Sequence, residues 1–454
     1  MTASARPSGR HGSESHRRPL WLWSAVGGGA GVVAAVVLTQ VLPLGQGLAW
    51  LWPGDASSAT SALQLVATSV MTATTLTFSL TVVALQLTSQ QFSPRLLREF
   101  TRDPVTKAVL AVLTTSFAFT STAVRALRAD QPVPTVALVV GQLLGLASFA
   151  AILAFITHLV RMLRVDTMML EVHDDTARAI RDSYPGHGDP APRSPDEVAL
   201  EPGRGHAVPA TRSGFVQRVD VDELVRAAGE RDALVRVEVR PGDQVLSGTP
   251  LATLWRREGA RGAAFGAVPQ ELAEQVRESV AMGYERTFDQ DASFGFRQLE
   301  DIAVKAMSPS VNDPATAATA VGHMGDLLVQ LVGARLGPTL HEDADGVGRV
   351  VVPDRDLRYY LDLACGQLQR FSAAEPTVMI AMLRMLRDVA PSCRDDQQRA
   401  ELARAARGVL DALSPDVRRP DAEAVEDLHR RVELALEGDL VAPYADRAGE
   451  TRSI

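Results

Sequence analysis

The sequence predicts an α-helical membrane domain of four spans, followed by a mixed α/β, mostly helical cytoplasmic domain that contains a small β module. Three observations predict this class. Long apolar stretches are confined to the part of the chain before about residue 165, and most carboxylates follow that point. Basic residues gather on one side of the apolar stretches. Beyond about residue 205, apolar residues first alternate, as in strands, and then return to helical spacing.

The N-terminal segment predicts a disordered tail and a first span. Residues 1–18 contain four Arg and no Lys among Ser, Gly and His, which is typical of a disordered cytoplasmic tail. The apolar run Trp21–Leu42 could be a signal peptide, but it is about 22 residues long and no clear cleavage site follows, so a retained span is favoured. A small-residue face for close helix packing is formed by Gly27, Gly28, Gly29 and Gly31.

Three further spans complete a membrane domain over residues 19–164. They are predicted at Ser61–Leu87, Thr106–Leu127 and Val133–Leu163. Basic residues lie in the tail, in the loop after the second span and at the end of the fourth span, whereas Arg125 and Arg128 fall on the other side. The positive-inside rule therefore places both termini in the cytoplasm.

Hydroxyl side chains recur along the second and third spans. The candidates for lining a pore are Thr68, Thr72, Thr75 and Ser79 on one face of the second span, with Thr114 and Thr115 in the third. A second row lies roughly opposite the first and consists of Thr74, Thr77, Thr81 and Thr88. Two interpretations stay open: the hydroxyls hold helices together or bond back to the preceding turn, or they line a polar path for ions or small solutes.

The middle of each span lacks Asp, Glu, Lys and Arg, which argues against a proton-coupled transporter. His158, near the inner end of the fourth span, is interpreted as an interfacial residue. The fourth span also contains Gly141 and Gly145 at the spacing of a helix-packing motif.

The loop after the second span is basic. Pro94 is expected to begin a short amphipathic helix that places Arg95, Arg98 and Arg102 at the inner membrane surface. These Arg residues are candidates for contact with anionic lipid headgroups or with the acidic soluble part. The alternative is that they only determine topology.

A cytoplasmic helix and a Pro- and Gly-rich linker are predicted over residues 165–205, followed by a β module at 206–256. The segment Arg240–Leu251, RPGDQVLSGTPL, resembles the hairpin of biotinyl and lipoyl carrier domains and other barrel-sandwich modules. The Lys that these carriers modify is missing, because the chain has no Lys between Lys107 and Lys305. A structural or gating collar is therefore favoured over a carrier.

The sequence after the β module predicts a helical domain at 267–440 and a disordered tail at 441–454. The expected helices are Glu271–Tyr284, Leu357–Phe371, Val378–Val389, Arg399–Leu413 and Ala424–Leu436. Another helix, with Leu299, Ile302, Ala303 and Ala306 on one face, is expected to end at Ser308 and Pro309. Asp313 is expected to cap the helix that Pro314 begins.

Two separated phrases carry a resemblance to a known family. They are LTFSLTVVALQLTSQQFSPRLLREFTRDPVTK in the membrane domain and FGFRQLEDIAVKAMSPSVNDPATA in the soluble domain. Together they resemble the bacterial "predicted membrane protein" family of unknown function, from the first span to about residue 380. The resemblance implies a multi-pass protein of the bacterial inner membrane with a cytoplasmic domain, and it implies no activity or catalytic residues.

The SPSVNDP turn is the candidate site of the soluble domain. Ser308, Asp313, His323 and Asp291 form a hydrolase-like set on paper, but no nucleophile elbow or Gly-rich oxyanion loop surrounds the Ser. Turn and cap chemistry explains these residue types without catalysis. The alternative is a small ligand site. The residues of this candidate ligand site or structural turn are Arg297, Ser308, Asn312, Asp313 and His323.

Composition narrows the function further. The acidic soluble part argues against nucleic-acid binding, and the two Cys residues, Cys365 and Cys393, fit a reducing cytosol without a disulfide framework. The sequence predicts no cofactor and no metal site. Two hypotheses follow: an oligomeric ion channel or channel-like transporter that contacts lipid, further copies of itself and an ion or small solute, or a membrane scaffold or sensor that transports nothing. An enzyme is a distant third.

Overall fold

The computed structural model describes residues 20–41, 55–91, 103–127, 133–162, 164–186, 192–201, 203–258, 261–263, 265 and 270–445. These form two compact units, Met1–Thr167 and Met168–Ile454.

The first unit contains the long apolar helices. They are α1 (Leu20–Val36, continued by a π-type turn to Val41), α2 (Ala56–Gln91), α3 (Pro104–Ala126) and α4 (Thr135–Met162). Each contains a segment of the length and hydropathy of a membrane crossing. The prediction of four candidate spans is therefore confirmed, and their orientation stays a prediction.

Helices α1 and α3 meet at two of the predicted glycines. A Cβ added to Gly27 would lie 2.7 Å from Thr115 Oγ1 and 2.8 Å from the carbonyl oxygen of Ala111. Gly31 faces the same stretch of α3, whereas a Cβ on Gly28 would meet no atom within 4 Å. The small-residue face therefore consists of Gly27 and Gly31, one turn apart, because each lets the two backbones approach.

Helix α4 uses its own glycine pair in the same way. A Cβ on Gly145 would lie 2.9 Å from Val66 Cγ1 of α2, and one on Gly141 would lie 2.5 Å from Leu63 Cδ2. The described part of the membrane unit thus has two glycine-mediated helix contacts, α1 with α3 and α2 with α4.

The second unit begins with α5 (Val165–Ser183), which starts shortly after α4 ends, and it contains two sheets. The strands are β1 (Ala199–Leu200), β2 (His206–Pro209), β3 (Gly214–Val219), β4 (Ala233–Val237), β5 (Gln244–Val245), β6 (Pro250–Glu258), β7 (Arg261–Ala263), β8 (Val280–Gly283), β9 (Thr339–Glu342) and β10 (Gly348–Val352). One sheet has the order β1-β7-β6-β4-β10-β9, with β2 also paired to β6, and the other has the order β5-β3-β8. Strands β2 to β6 come from the predicted module at 206–256, and the others come from the flanking sequence.

The remaining helices pack around these sheets and form a helical layer beyond them. They are α6 (Val221–Glu230), α7 (Gln270–Ser279), α8 (Ala292–Ala306), α9 (Pro314–Val332), α10 (Leu357–Leu361), α11 (Leu368–Phe371), α12 (Pro376–Val389), α13 (Asp396–Asp411) and α14 (Arg419–Leu436). Leu224 of α6 and Val276 of α7 are buried against Val235 and Leu254 of the larger sheet. Burial of this apolar surface is what holds the sheet layer together.

Two predicted helices differ from the structure. The helix expected at Glu271–Tyr284 ends at Ser279, and Val280–Gly283 instead pairs with β3 as β8. The cause is burial on alternate residues, since Val280 and Met282 enter the sheet core, and tertiary pairing overrides a short helical pattern. The helix expected at Leu357–Phe371 is interrupted by a π-type turn at Asp362–Gly366.

Candidate functional site

One face of α2 is polar and exposed along the length of the helix. We call this set the polar stripe; its members are Ser57, Ser61, Gln64, Thr68, Thr72, Thr75, Ser79 and Gln86. Successive members are three, four or seven residues apart, so all of them fall on one narrow arc of the helix. From Ser57 to Ser79 the stripe is continuous for roughly 33 Å at the helical rise, about the thickness of a hydrocarbon core, and Val82 and Val83 separate Ser79 from Gln86.

Two threonines of the stripe, Thr72 and Thr75, already use their hydroxyl hydrogens. Thr72 Oγ1 donates to the carbonyl oxygen of Thr68 at 3.0 Å, and Thr75 Oγ1 donates to that of Met71 at 3.1 Å. Such bonds to the preceding turn satisfy the donor and leave the hydroxyl oxygen facing outward. The stripe therefore presents hydroxyl oxygens, together with the two Gln amides, to whatever surrounds α2.

The second hydroxyl row of α2 has a different environment. Thr77 is 1 % exposed, and Thr74 and Thr81 are half-buried, so this row packs inside the unit. The side chain of Thr88 lies outside the part of the chain described. The two rows therefore differ: one is enclosed by protein and the other is open.

The outward faces of α1 and α4 are mostly apolar, although α4 also exposes Gln142 and Thr157. Leu146, Phe149, Leu153 and Ile156 project from α4, and Trp23, Val26, Val32 and Val33 project from α1. These are the side chains expected against lipid. Among the described spans, the polar outward face of α2 contrasts with both.

Hydroxyls of the third span hold α3 and α4 together. Ser148 Oγ donates to Ser116 Oγ at 2.9 Å, and Ser116 Oγ also lies 3.2 Å from the carbonyl oxygen of Leu144. Both Ser side chains are buried. For Ser116 the helix-contact interpretation is therefore the one that the geometry supports.

The two predicted pore residues of α3 lie within the bundle rather than on an open face. Thr115 donates to the carbonyl oxygen of Ala111 at 2.7 Å and packs against Gly27 of α1. Thr114 is half-buried and donates to the carbonyl oxygen of Leu110 at 2.7 Å. The structure thus places these two residues apart from the open row formed by Thr68, Thr72, Thr75 and Ser79.

Sequence reasoning missed a contact between a carboxylate and an imidazole at the start of α3. Asp103 caps this helix by accepting from Thr106 N at 2.7 Å, and its other carboxylate oxygen lies 3.1 Å from Nε2 of His158 on α4. The phrase Asp-Pro-x-Thr signals the cap, but the sequence has no signal that pairs it with His158. His158 therefore links two helices in addition to lying near a span end. The basic loop residues Arg95, Arg98 and Arg102 lie outside the described residues.

In the second unit, the SPSVNDP turn is an exposed cap. Asp313 accepts from Thr316 N at 3.1 Å and from Thr316 Oγ1 at 2.6 Å, which caps α9 as predicted. These hydrogen bonds lower the pKa of Asp313. Asn312 is exposed with a φ of +48°, and Ser308 Oγ lies 3.2 Å from Ser310 Oγ. Turn and cap chemistry accounts for these residues.

The other predicted members lie on helices. Arg297 forms an ion pair with Glu300 within α8, at 2.8 Å. The ring of His323 on α9 lies 5.3 Å from the ring of His173 on α5, and His173 Nε2 lies 3.2 Å from the carboxylate of Asp326. Within the described ranges, no group of three or more His, Cys, Asp or Glu side chains is arranged to hold a metal ion.

The PGD phrase has a structural role that the sequence did not reveal. Gly242 has a φ of +88°, and a Cβ there would collide with Asp291. Asp291 is 1 % exposed and pairs with Arg286 at 2.6 Å, and Ser293 Oγ donates to it at 2.7 Å. The glycine is required both by its backbone conformation and by this buried ion pair.

A comparable fit explains the FGF phrase. A Cβ on Gly295 of α8 would collide with Thr176, which is fully buried on α5. Gly295 therefore permits the close contact between α5 and α8. The phrases that carry the resemblance encode helix contacts and caps at the positions that the structure describes.

Comparison with known proteins agrees with this architecture. The model of the family described as predicted membrane protein (DUF2254) matches residues 17–388. Uncharacterised proteins of Mycobacterium bovis and Mycobacterium tuberculosis are each 32 % identical to this chain over 379 residues, which cover 83 % of this chain and 71 % of each relative. No solved structure gives a significant match. The chain therefore belongs to the predicted membrane protein family DUF2254.

Proposed function

We propose that this protein is a homo-oligomeric, channel-like membrane protein in which the polar stripes of several α2 helices surround a shared aqueous path. The observation that carries the proposal is the exposed polar face of α2, which runs along a helix of membrane-spanning length.

Lipid is a poor environment for the stripe. Gln64 carries a side-chain amide within the candidate span Ala56–Ala84, and moving an unpaired amide from water into hydrocarbon costs roughly 4–8 kcal/mol. The Thr hydroxyls bonded to the preceding turn cost less, but their outward oxygens still gain from a donor. Water or the polar groups of another copy would supply donors and acceptors along the whole face.

The residues beside the stripe suit contacts between copies. Exposed apolar side chains flank it: Leu65, Leu76 and Val83 on one side, and Met71, Phe78 and Val82 on the other. If the stripes of several copies face a common axis, these flanks meet the flanks of neighbouring α2 helices. A polar centre with apolar borders is the pattern of a pore-lining helix rather than of a single lipid-facing one.

The stripe has no charged side chain, so the proposed path is lined by hydroxyl oxygens and amides. Such groups replace part of the hydration of an ion or a small polar solute without binding it strongly, which conduction requires. The transported species is proposed to be an ion or small solute of this kind.

The proposal includes location and the soluble unit. We infer that the protein lies in the bacterial inner membrane with both termini in the cytoplasm, because Arg161 lies in the last turn of α4, Arg164 follows the helix and the N-terminal tail is also basic. The barrel-sandwich-like interpretation of the β module is part of this proposal, with the module acting as a cytoplasmic collar. Its support is the Arg240–Leu251 segment, which joins the paired strands β4 and β6, contains the tight turn at Gly242 and contributes β5 to the second sheet.

The second candidate function is a scaffold or sensor without transport. Its support is that the hydroxyl donors of Thr72 and Thr75 are satisfied inside α2 itself. Ser116 and Ser148 give an example of hydroxyls in this bundle that serve as contacts between helices and do not face an open surface.

A measurement of whether water reaches the polar stripe distinguishes the channel from the scaffold or sensor. We would replace Cys365 and Cys393 by Ala, introduce Cys singly at Thr72, Thr75 and Ser79, and treat the protein in liposomes with a charged thiol reagent. The matched controls are Leu146→Cys and Leu153→Cys, at exposed positions of α4. We expect the stripe positions to react at least about tenfold faster than the α4 positions, because the charged reagent does not enter hydrocarbon.

Ion flux tests transport itself. Thr75→Val and Ser79→Val are expected to change conductance in reconstituted liposomes, and Thr74→Val, on the packed row of the same helix, is the matched control. Equal and slow labelling of stripe and α4 positions, with no current from correctly inserted protein, would contradict the channel and favour the scaffold.

A further inference from the structure

The C-terminal end of α5 is held by a chain of hydrogen bonds that we call the latch; its members are Tyr184, Tyr360 and Asp354. Tyr184 Oη donates to Asp354 Oδ1 at 3.2 Å and lies 2.7 Å from Tyr360 Oη. Tyr184 follows the last residue of α5, and its backbone N–H donates to the carbonyl oxygen of Ile180. Tyr360 is fully buried at the end of α10. The latch thus joins the end of α5 to the segment that follows β10.

Cationic side chains face the carboxylate of Asp354. Arg355 donates its backbone N–H to Asp354 at 2.7 Å, and its guanidinium donates to the carbonyl oxygen of Pro241 and to Asp243. The charges of Arg355 and Arg240 both act on Asp354. Beyond them lies the carboxylate of Asp291, whose charge acts on Arg355.

The backbone next to the latch is also fixed. Arg335, which follows α9, donates its backbone N–H to the carbonyl oxygen of Pro185 at 3.0 Å. Gly186 pairs with Ala334 as an isolated bridge. The backbone just after α5 is therefore held in place by hydrogen bonds to the segment that follows α9. A change in the latch would alter how firmly the C-terminal end of α5 is attached.

Burial places the ionisation of Asp354 near neutral pH. Desolvation raises its pKa to about 6, and this rise is opposed by the hydrogen bonds from Arg355 and Tyr184 and by the nearby guanidinium charges. Burial raises the pKa of Tyr184 and of Tyr360 as well, so both phenols keep their protons. Asp354 is therefore the member of the latch that changes charge at moderate pH.

The raised pKa of Asp354 determines the direction in which pH changes the docking of α5. A carboxyl whose pKa is higher in the docked state than in the free chain is bound to a proton more tightly when docked. Docking is then favoured at low pH and weakens as pH rises from the ordinary carboxyl pKa of 3.8 to about 6. Above that range the effect on docking is constant.

We propose that Asp354 makes the attachment of α5 sensitive to pH, so that acidification tightens the latch and neutral or alkaline pH loosens it. Both protonation states can keep the hydrogen-bond chain. The carboxylate accepts from Tyr184, which accepts from Tyr360, and a protonated carboxyl can donate to Tyr184, which then donates to Tyr360. Protonation thus removes a desolvated charge without breaking the chain. Because this helix directly follows the fourth candidate span in the chain, the latch would give the membrane protein a response to cytoplasmic acid.

The inference is independent of the channel proposal, since it concerns contacts within the second unit. A separate titratable contact on α5, His173 with Asp326, lies about three turns away from the latch. It joins α5 to α9 independently of Asp354, so the test must distinguish the two contacts.

Hydrogen exchange of the full-length protein in detergent measures the latch directly. The readout is the protection of the amide hydrogens of residues 180–184, from pH 4.5 to pH 8 and corrected for the intrinsic exchange rate, with the amides of α12 as an internal reference. We expect wild-type protection to fall by more than about tenfold with rising pH, with a midpoint about one pH unit below the pKa of Asp354 and a plateau above that pKa, because its pKa is raised by about two units and each unit corresponds to a factor of ten.

Three variants make the test specific. Asp354→Asn, with folding checked by circular dichroism, is expected to abolish the pH dependence and to keep at pH 7.5 the protection that wild type shows at pH 5. Tyr184→Phe removes one donor to the carboxylate, so it is expected to move the midpoint to higher pH. His173→Gln is the control and is expected to leave the midpoint unchanged. A wild-type profile without pH dependence, or a dependence that survives in Asp354→Asn, would overturn the proposal.

Discussion

Asp313 shows how one side chain can serve as both a sequence signal and a structural contact. It follows an Asn with positive φ, precedes Pro314 and accepts two hydrogen bonds from Thr316. Because its ionised form is the better acceptor, its pKa is lowered. The carboxylate contributes to stability above the ordinary Asp pKa of 3.8, and this contribution is lost as pH falls through the lowered value.

Asp313→Ala is expected to destabilise the second unit by about 1 kcal/mol, the usual cost of losing a helix N-cap. The measurement is urea unfolding at pH 7. Ser310→Ala, in the same exposed turn, is the control and is expected to remain within about 0.5 kcal/mol of wild type. Equal stabilities for the Asp313 and Ser310 variants would show that the cap contributes nothing.

Residue types at caps and turns were predictable from the sequence, because the interactions that select them are local. The cap at Asp313 and the boundary at Ser308 needed no knowledge of the rest of the chain. The pairing of Asp103 with His158 was not predictable, since its partners are far apart in sequence and meet only when α3 and α4 pack. The latch at Tyr184 and Asp354 was missed for the same reason.

At the scale of single elements, the glycines of α1 differ in importance although they are neighbours in sequence. A methyl group at Gly27 would press against the backbone of Ala111, whereas one at Gly28 would enter open space. The helical period explains the difference, since Gly27 and Gly31 share a face and Gly28 points elsewhere.

Gly27→Ala is expected to lower the melting temperature of the protein in detergent, because overpacking a close helix contact costs about 1–3 kcal/mol. Gly28→Ala is the matched control. It is expected to leave the melting temperature unchanged or to raise it slightly, since Ala favours the helix. A lower melting temperature for the Gly28 variant than for the Gly27 variant would contradict this assignment.

Periodicity predicted most elements but could not resolve short ones. The four long apolar helices and the strands β3, β4 and β6 follow from their patterns. Strand β8 did not, because a run of four residues is compatible with both periods and its pairing with β3 decides the outcome.

At the scale of the whole molecule, the polar stripe carries our proposal that several copies assemble through α2. A face with hydroxyls and amides at its centre and apolar flanks on both sides fits several α2 helices around an axis. In that arrangement Phe78 lies at a contact between copies, whereas Leu153 on α4 faces lipid.

Phe78→Cys, in a chain with Cys365 and Cys393 replaced by Ala, is expected to form covalent dimers on mild oxidation in the membrane. Leu153→Cys is the control, because it is similarly exposed on the apolar outer face of α4. The measurement is the dimer fraction on a non-reducing gel at low protein density. Equal dimer fractions for the two variants would contradict assembly through α2.

The sequence by itself determined the four apolar helices, the family and the helical and strand-forming character of the soluble part. These features depend on composition and on period, which each segment carries within itself. Only the tertiary structure decided which hydroxyl row of α2 is packed and which is open, because the two rows have the same residue types and differ only in their neighbours. The tertiary structure also decided that Thr115 lies against Gly27 and that Asp354 holds the end of α5, since burial and pairing arise only when distant segments meet.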